Sequence, residues 1–317
     1  MAMAIKPTAP PYYLAFGRHG DKRAIRRRRT AAAGQKLPRL KGRQADKDAE
    51  LTNRGGIKAV RSGPPFKGVS FRYGLLVGTE KVRTLQSVAF RTPELGLTGR
   101  ETWPEIEERI KSVTRRMFGN KYGGKVRISQ NLNFSYGSDP YKQAVRAAIK
   151  EKRLVPFIVG ESDRLAAELG DTKSSTYTRG AGGIAREILD YVQAAKNLQR
   201  IYSGKPDEVK AKAPPFIPRT LGSHQPVMES FLLKLTEKLE GVAARNELMA
   251  QIGAKGFSPL EGYTVAIHPH AEGGEPKIIL NYSKTDEHGN VIYSLSHNIP
   301  TAVLEEIAGI AKKQRGS

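Results

Sequence analysis

Tyr12-Tyr13-Leu14-Ala15-Phe16-Gly17-Arg18-His19-Gly20 is an apolar run that stops abruptly at an arginine and a histidine set between glycines. Near-continuous apolar character over 12–18 predicts a strand buried on both faces. The flanking glycines let the backbone turn sharply and let a substrate approach closely. A histidine beside an arginine at a strand's C-terminal end suits covalent phosphoryl transfer. The imidazole can attack phosphorus while the guanidinium holds two phosphate oxygens.

Outward from this run, strand and helix signals alternate. Thr52 can cap a short helix starting in Leu51-Thr52-Asn53-Arg54-Gly55, with Ile57 and Val60 inward. Residues 69–78 read as a second strand region, and Thr79 or Glu80 opens a helix through Phe90 with Val82, Leu85, Val88 and Ala89 on its apolar side. A helix and turn follow over 98–120, ended by Gly119, then a strand over 125–132 and a helix over 141–153. Residues 154–159 read as a short strand, 163–169 as a helix, 170–183 as a polar Gly-rich loop and 184–202 as an amphipathic helix. After an exposed Lys- and Pro-rich connection, Arg219–His224 repeats the pattern of a strand ending at a histidine, with a helix after Pro226. Strands at 262–268, 277–282 and 291–295 and a helix over 301–312 complete the chain. The alternation predicts an α/β fold, a three-layer sandwich with a mostly parallel central sheet flanked by helices. All 317 residues are expected to form one domain, with a basic insertion at 21–48 and a mainly helical one at about 98–216.

Composition bounds the function. The 53 Lys and Arg against 31 Asp and Glu leave a formal net charge of +22, strongest early: residues 1–61 carry sixteen basic side chains against four acidic ones. Such an excess attracts polyanions, whether nucleic acid or a phosphorylated substrate. No apolar run reaches the ~18 residues of a membrane span. The N-terminus lacks the layout of a secretory signal, and a cytoplasmic setting is expected. With no cysteine, disulfides and thiolate metal sites are excluded. His268, His270, His288 and His297 lack helical pairing and a carboxylate ligand, so they read as exposed loop histidines rather than a metal site. Tyr12, Tyr13, Tyr122, Tyr136 and Tyr141 are candidate base-stacking residues, but no nucleic-acid module organises them, and they read as core or rim.

In a parallel sheet the C-terminal strand ends share one edge, so His19, Arg83 and His224 can converge there despite their separation. Four pieces now resemble the histidine phosphatase superfamily, which includes phosphoglycerate mutases and acid phosphatases. In order they are Phe16–Gly20, Leu51–Gly55, Thr79–Val88 and Gly222–Val227. The resemblance implies the phosphoglycerate mutase-like fold and a phosphomonoester hydrolase. His19 is then the nucleophile that forms a phosphohistidine, Arg18 and Arg83 bind the phosphoryl oxygens, and His224 completes the pocket. One such preorganised donor is typically worth ~3 kcal/mol of barrier. Neither metal nor cofactor is implied.

The superfamily also needs a proton donor for the leaving oxygen. One branch places an acid directly after the second histidine, where this chain has Gln225; the other uses a Glu in the loop after the third core strand. The matching stretch, Ser129–Asp139, contains no Glu, so Asp139 is the first candidate and Glu161 the second. The basic insertion after the nucleophile predicts a multiply anionic substrate. The competing expectation is a weak or inactive phosphatase-fold protein that binds nucleic acid or another polyanionic assembly.

Overall fold

The computed structural model describes residues 8–20, 49–66, 70–118, 125–286 and 288–316. The expected basic insertion at 21–48, Gly119 and Tyr122 lie outside the described residues. Strands β1 (Tyr12–Arg18), β2 (Leu75–Gly78), β3 (Val126–Ile128), β4 (Ile217–Ser223), β5 (Gly262–His268), β6 (Lys277–Thr285) and β7 (Val291–Asn298) form one sheet in the order β3-β2-β4-β1-β5-β6-β7. The described helices are α1 (Asn53–Ser62), α2 (Val82–Phe90), α3 (Trp103–Phe118), α4 (Asp139–Lys150), α5 (Leu154–Gly160) and α6 (Ser162–Glu168). They continue with α7 (Tyr177–Ser203), α8 (Asp207–Lys210), α9 (Val227–Glu240), α10 (Val242–Ile252) and α11 (Thr301–Gly316).

The expectation of a mostly parallel sheet needs correction. β1–β4, β2–β4 and β2–β3 pair in parallel, but β1–β5, β5–β6 and β6–β7 pair antiparallel. For β5–β6 and β6–β7 the reason is connection length. A parallel neighbour needs a crossover of about a dozen residues or more, and the turns at 269–276 and 286–290 are too short.

The layering follows from side-chain alternation. Leu14, Phe16, Val77, Leu221, Val265 and Leu280 pack on one face against Ile184 and Ile188 of α7, Phe231 of α9 and Leu304 of α11. On the other face Leu76 packs with Ala59 of α1, Val88 of α2 and Ile106 of α3. Beyond β1 this second cover ends. Asn281, Ser283, Ser294 and Ser296, partners across β6 and β7, are exposed.

Two further expectations are overturned. Residues 154–159 form α5 rather than a strand, because Leu154, Val155, Phe157 and Ile158 are buried at the i, i+1, i+3, i+4 spacing of a helix. The Gly-rich loop over 170–183 is replaced from Tyr177 by α7, capped by the Thr176 side chain. Its glycines are there for close packing: a Cβ on Gly182 would lie 2.1 Å from Ala311 Cβ of α11. The expected α1 cap holds, with Thr52 Oγ1 accepting from Gly55 N at 2.9 Å.

Candidate active site

Register brings the two histidines together. In the parallel β1–β4 pair Arg18 lies opposite Ser223, so the next residue on each strand, His19 and His224, leaves the same sheet edge. The His19 amide still donates to Ser223 O at 3.2 Å, and the two imidazole rings meet edge to face with centroids 5.1 Å apart. Helix α2, which follows β2, delivers Arg83. This buried guanidinium donates from Nε to His19 Nε2 at 3.4 Å.

The hydrogen bonds settle the His19 tautomer. Nδ1 lies 2.7 Å from Gly20 O, which can only accept. Nδ1 therefore carries the proton, and Nε2 presents its lone pair on the Arg83 side. Gly20 is itself held, its amide donating to Ser87 Oγ at 2.9 Å.

His224 is 3 % exposed, with Nε2 at 3.0 Å from Thr79 Oγ1. Thr79 Oγ1 lies 3.2 Å from Thr84 Oγ1, whose proton goes to Lys81 O at 2.8 Å. This hydroxyl run ties the second histidine to the start of α2. The buried Lys81 reaches the other way, donating from Nζ to Phe134 O at 3.0 Å in the loop after β3. The same loop is anchored by Ser223 Oγ, which donates to Leu132 O at 2.8 Å.

Arg18 turns toward the segment before β5. Its Nη1 donates to Phe257 O, its amide to Glu261 O at 2.9 Å, and its carbonyl accepts from Leu260 N at 3.1 Å. Next to it lies Glu229, from the first turn of α9, 1 % exposed and accepting from Phe257 N at 2.7 Å. Burial pushes its carboxyl up to about 7, against the opposing pull of the Phe257 amide and the Arg18 charge.

His19, Arg83 and His224 thus form one cluster, and Arg18 adjoins it through the chain. The acid candidates make their contacts with other groups. Asp139 is in the first turn of α4 with its side chain 86 % exposed, 3.9 Å from Lys142 Nζ. Glu161, between α5 and α6, accepts from Arg153 Nη1 at 2.8 Å. Gln225, in the position where one branch carries its acid, donates from Nε2 to Lys255 O.

Glu229 was missed by motif reading. Its signal is a lone carboxylate inside the apolar run Val227–Leu233, which a buried helix tolerates only with a partner. Thr79 and Lys81 belong to a quoted motif, yet only the fold gives them contacts with His224 and Phe134.

The remaining histidines depart in part from the loop expectation. His270 and His288 are exposed, but His268 ends β5 and His297 is buried on β7 with Nε2 at 3.1 Å from Thr236 Oγ1. Among the described residues no group of three or more His, Cys, Asp or Glu side chains could hold a metal ion, and no helix is long and apolar enough to cross a membrane. Of the tyrosines, Tyr12 and Tyr141 are core residues, and Tyr13 stacks on Phe216 at 4.6 Å.

No protein-family profile matches the chain, and no curated protein is similar to it in sequence. Among solved structures it is similar to SixA of Agrobacterium tumefaciens, described as a phosphohistidine phosphatase. The identity is 11% and the TM-score 0.24, over 90% of this chain and 97% of that one. It is also similar to the Klebsiella sp ASR1 phytase at 11% identity and TM-score 0.32, over 97% of each chain.

Proposed function

We propose that the His19 pocket is a phosphoryl-transfer site and that the protein hydrolyses phosphomonoesters through a phosphohistidine. The observation that carries this reading is the His19 ring itself. Its Nδ1 proton is engaged by Gly20 O, and its Nε2 lone pair faces the Arg83 guanidinium beside a second imidazole. A histidine nucleophile needs that arrangement: one nitrogen anchored, the other basic and aimed at a site of fixed positive charge.

In the reaction, His19 Nε2 donates its electron pair to phosphorus as the bond from phosphorus to the leaving oxygen breaks. Arg83 and Arg18 hold the phosphoryl oxygens, and His224 donates to them from the ring edge not engaged by Thr79. Thr84 Oγ1 gives its proton to Lys81 O, so Thr79 can donate to Thr84 and accept the His224 Nε2 proton. The donor facing the phosphoryl group is then the other nitrogen of a doubly protonated ring. The leaving oxygen takes a proton from a carboxylic acid, for which Asp139 remains our candidate. Water then attacks phosphorus, its proton returns to that carboxylate, and the N–P bond gives its pair back to Nε2.

The charge of +22 favours a multiply anionic substrate. No described feature favours the nucleic-acid reading over this one. Hydrolysis of an aryl phosphate tests it. His19→Ala should lower turnover by at least about 10³-fold, and alkaline quench should trap phosphate on the wild type alone. A wild type without turnover overturns the proposal. Asp139→Asn should slow alkyl phosphates by about 10²-fold and leave aryl phosphates nearly unchanged, since good leaving groups need no proton.

A further inference from the structure

The 253–261 segment between α10 and β5 is fastened to three residues of the pocket's neighbourhood. Arg18 Nη1 bonds Phe257 O, Glu229 Oε1 accepts from Phe257 N at 2.7 Å, and Gln225 Nε2 bonds Lys255 O. Arg18 and Glu229 therefore grip opposite sides of one peptide residue. The Phe257 side chain is fully buried and stacks on Tyr282 at 5.3 Å, which sets that residue firmly in the β5–β6 half of the sheet.

The segment is bent to reach this position. Gly256 has φ 78°, and a Cβ on it would meet Gln225 Nε2 at 2.2 Å and Glu229 Oε1 at 2.6 Å. Leu260 has φ 72°, a left-handed conformation that is strained for a side chain branched beyond Cβ, and its amide donates to Arg18 O. Strain of this kind persists only where surrounding contacts enforce it. Here those contacts converge on Arg18.

Glu229 is the charged member of the clamp. Its second oxygen, Oε2, accepts no hydrogen bond from any described residue, although it is buried. The charged and titratable groups that face it are Arg18 from β1, Glu261 from the segment itself, Tyr263 from β5 and Tyr282 from β6. Arg18 is the one cation among them.

We infer that Glu229 is a positioning residue for the phosphate pocket: through Phe257 it sets where the Arg18 guanidinium lies, and its ionisation sets how much Arg18 charge an incoming phosphoryl group meets. This rests on the phosphatase reading above. Ionised, Glu229 offsets Arg18 and weakens anion binding; protonated, it keeps the clamp and leaves Arg18 uncompensated. With the carboxyl raised to about 7, the change falls near neutral pH.

Two variants separate the two roles by sign. Glu229→Gln retains an acceptor for Phe257 N and removes the charge, whereas Glu229→Ala removes both. Inorganic phosphate is titrated calorimetrically into wild type and each variant at about pH 6 and about pH 8, and aryl phosphate kinetics are run in parallel. Affinities are compared as variant-to-wild-type ratios, which cancel the titration of phosphate and of the pocket histidines.

Glu229→Gln should match wild type at the lower pH and bind phosphate about three- to tenfold more tightly at the higher one. Glu229→Ala should bind more weakly at both, with KM raised more than kcat is lowered. If Glu229→Ala does not fold, Glu229→Gln alone decides. A Glu229→Gln ratio near unity at both pH values overturns the inference while leaving an active wild type a phosphatase. A wild type that neither binds phosphate nor turns over overturns the phosphatase reading, and the inference falls with it.

Discussion

The two halves of the sheet meet their surroundings differently. In β1 and the C-terminal end of β4 consecutive residues are buried, because helices cover both faces there. In β5 and β6 burial alternates, and the other face is half-buried along β5 and largely exposed along β6. Parallel strands bring their C-terminal ends, and the residues that follow them, to one edge. His19, Thr79 and His224 all come from such ends. Hairpin-linked strands send successive ends to opposite edges and cannot assemble a pocket that way. The antiparallel half contributes instead as a brace, through Phe257 seated against Tyr282 and bonded to Arg18 and Glu229.

The division of labour can be broken most severely in the parallel half. Arg83→Ala should lower kcat/KM for an aryl phosphate by about 10²–10³-fold, with steady-state kinetics as the check. Arg83→Lys should not restore it, since an ammonium lacks the planar fork. Loss confined to twofold would mean that the pocket's charge comes from elsewhere.

The brace should be visible in stability against pH. Glu229 has its folded pKa raised by burial, to about 7. Its favourable contribution is complete below the unfolded carboxyl value near ~4.5 and is lost as pH rises through the folded value. Glu229→Gln should therefore be more stable than wild type at about pH 8, by roughly 2–3 kcal/mol. The gain should fade as pH falls toward the unfolded value, and denaturant melts across that range measure it. A gain independent of pH would show that the Glu229 carboxyl titrates alike in the folded and unfolded states, and so is not raised by burial.

The smallest effect belongs to the open face. Asn281 accepts from Ser296 Oγ at 2.9 Å between two exposed strands. Asn281→Ala should change stability by no more than about 0.5 kcal/mol and leave aryl phosphate turnover unchanged. A loss of turnover there would join the two halves more tightly than their contacts imply.

Much of this is legible in the sequence alone. The strand expected over 12–18 is β1, Thr52 caps α1, and the helix after Glu80 carries Arg83 inward. Errors arose where a short apolar segment supports two readings. Leu154–Val159 has the composition of a strand, and only packing against the core selects a helix. The glycines at 180–183 suggested a loop because the facing surfaces of Ala311 and Asn131, which require them, are distant in sequence. Glu229 escaped notice for the same reason: its partner amide is at Phe257.

The sequence by itself determined the inventory: a histidine and an arginine at a strand end, a second histidine at another, an arginine opening a helix, and a large positive charge. Apolar runs, caps and turns are local chemistry, set by neighbours along the chain. Only the tertiary structure decided which His19 nitrogen keeps its lone pair, which hydroxyl supports His224, and that a buried carboxylate shares a peptide with Arg18. Those are questions of proton placement and desolvation. Their answers lie in groups brought to within about 3 Å across the fold.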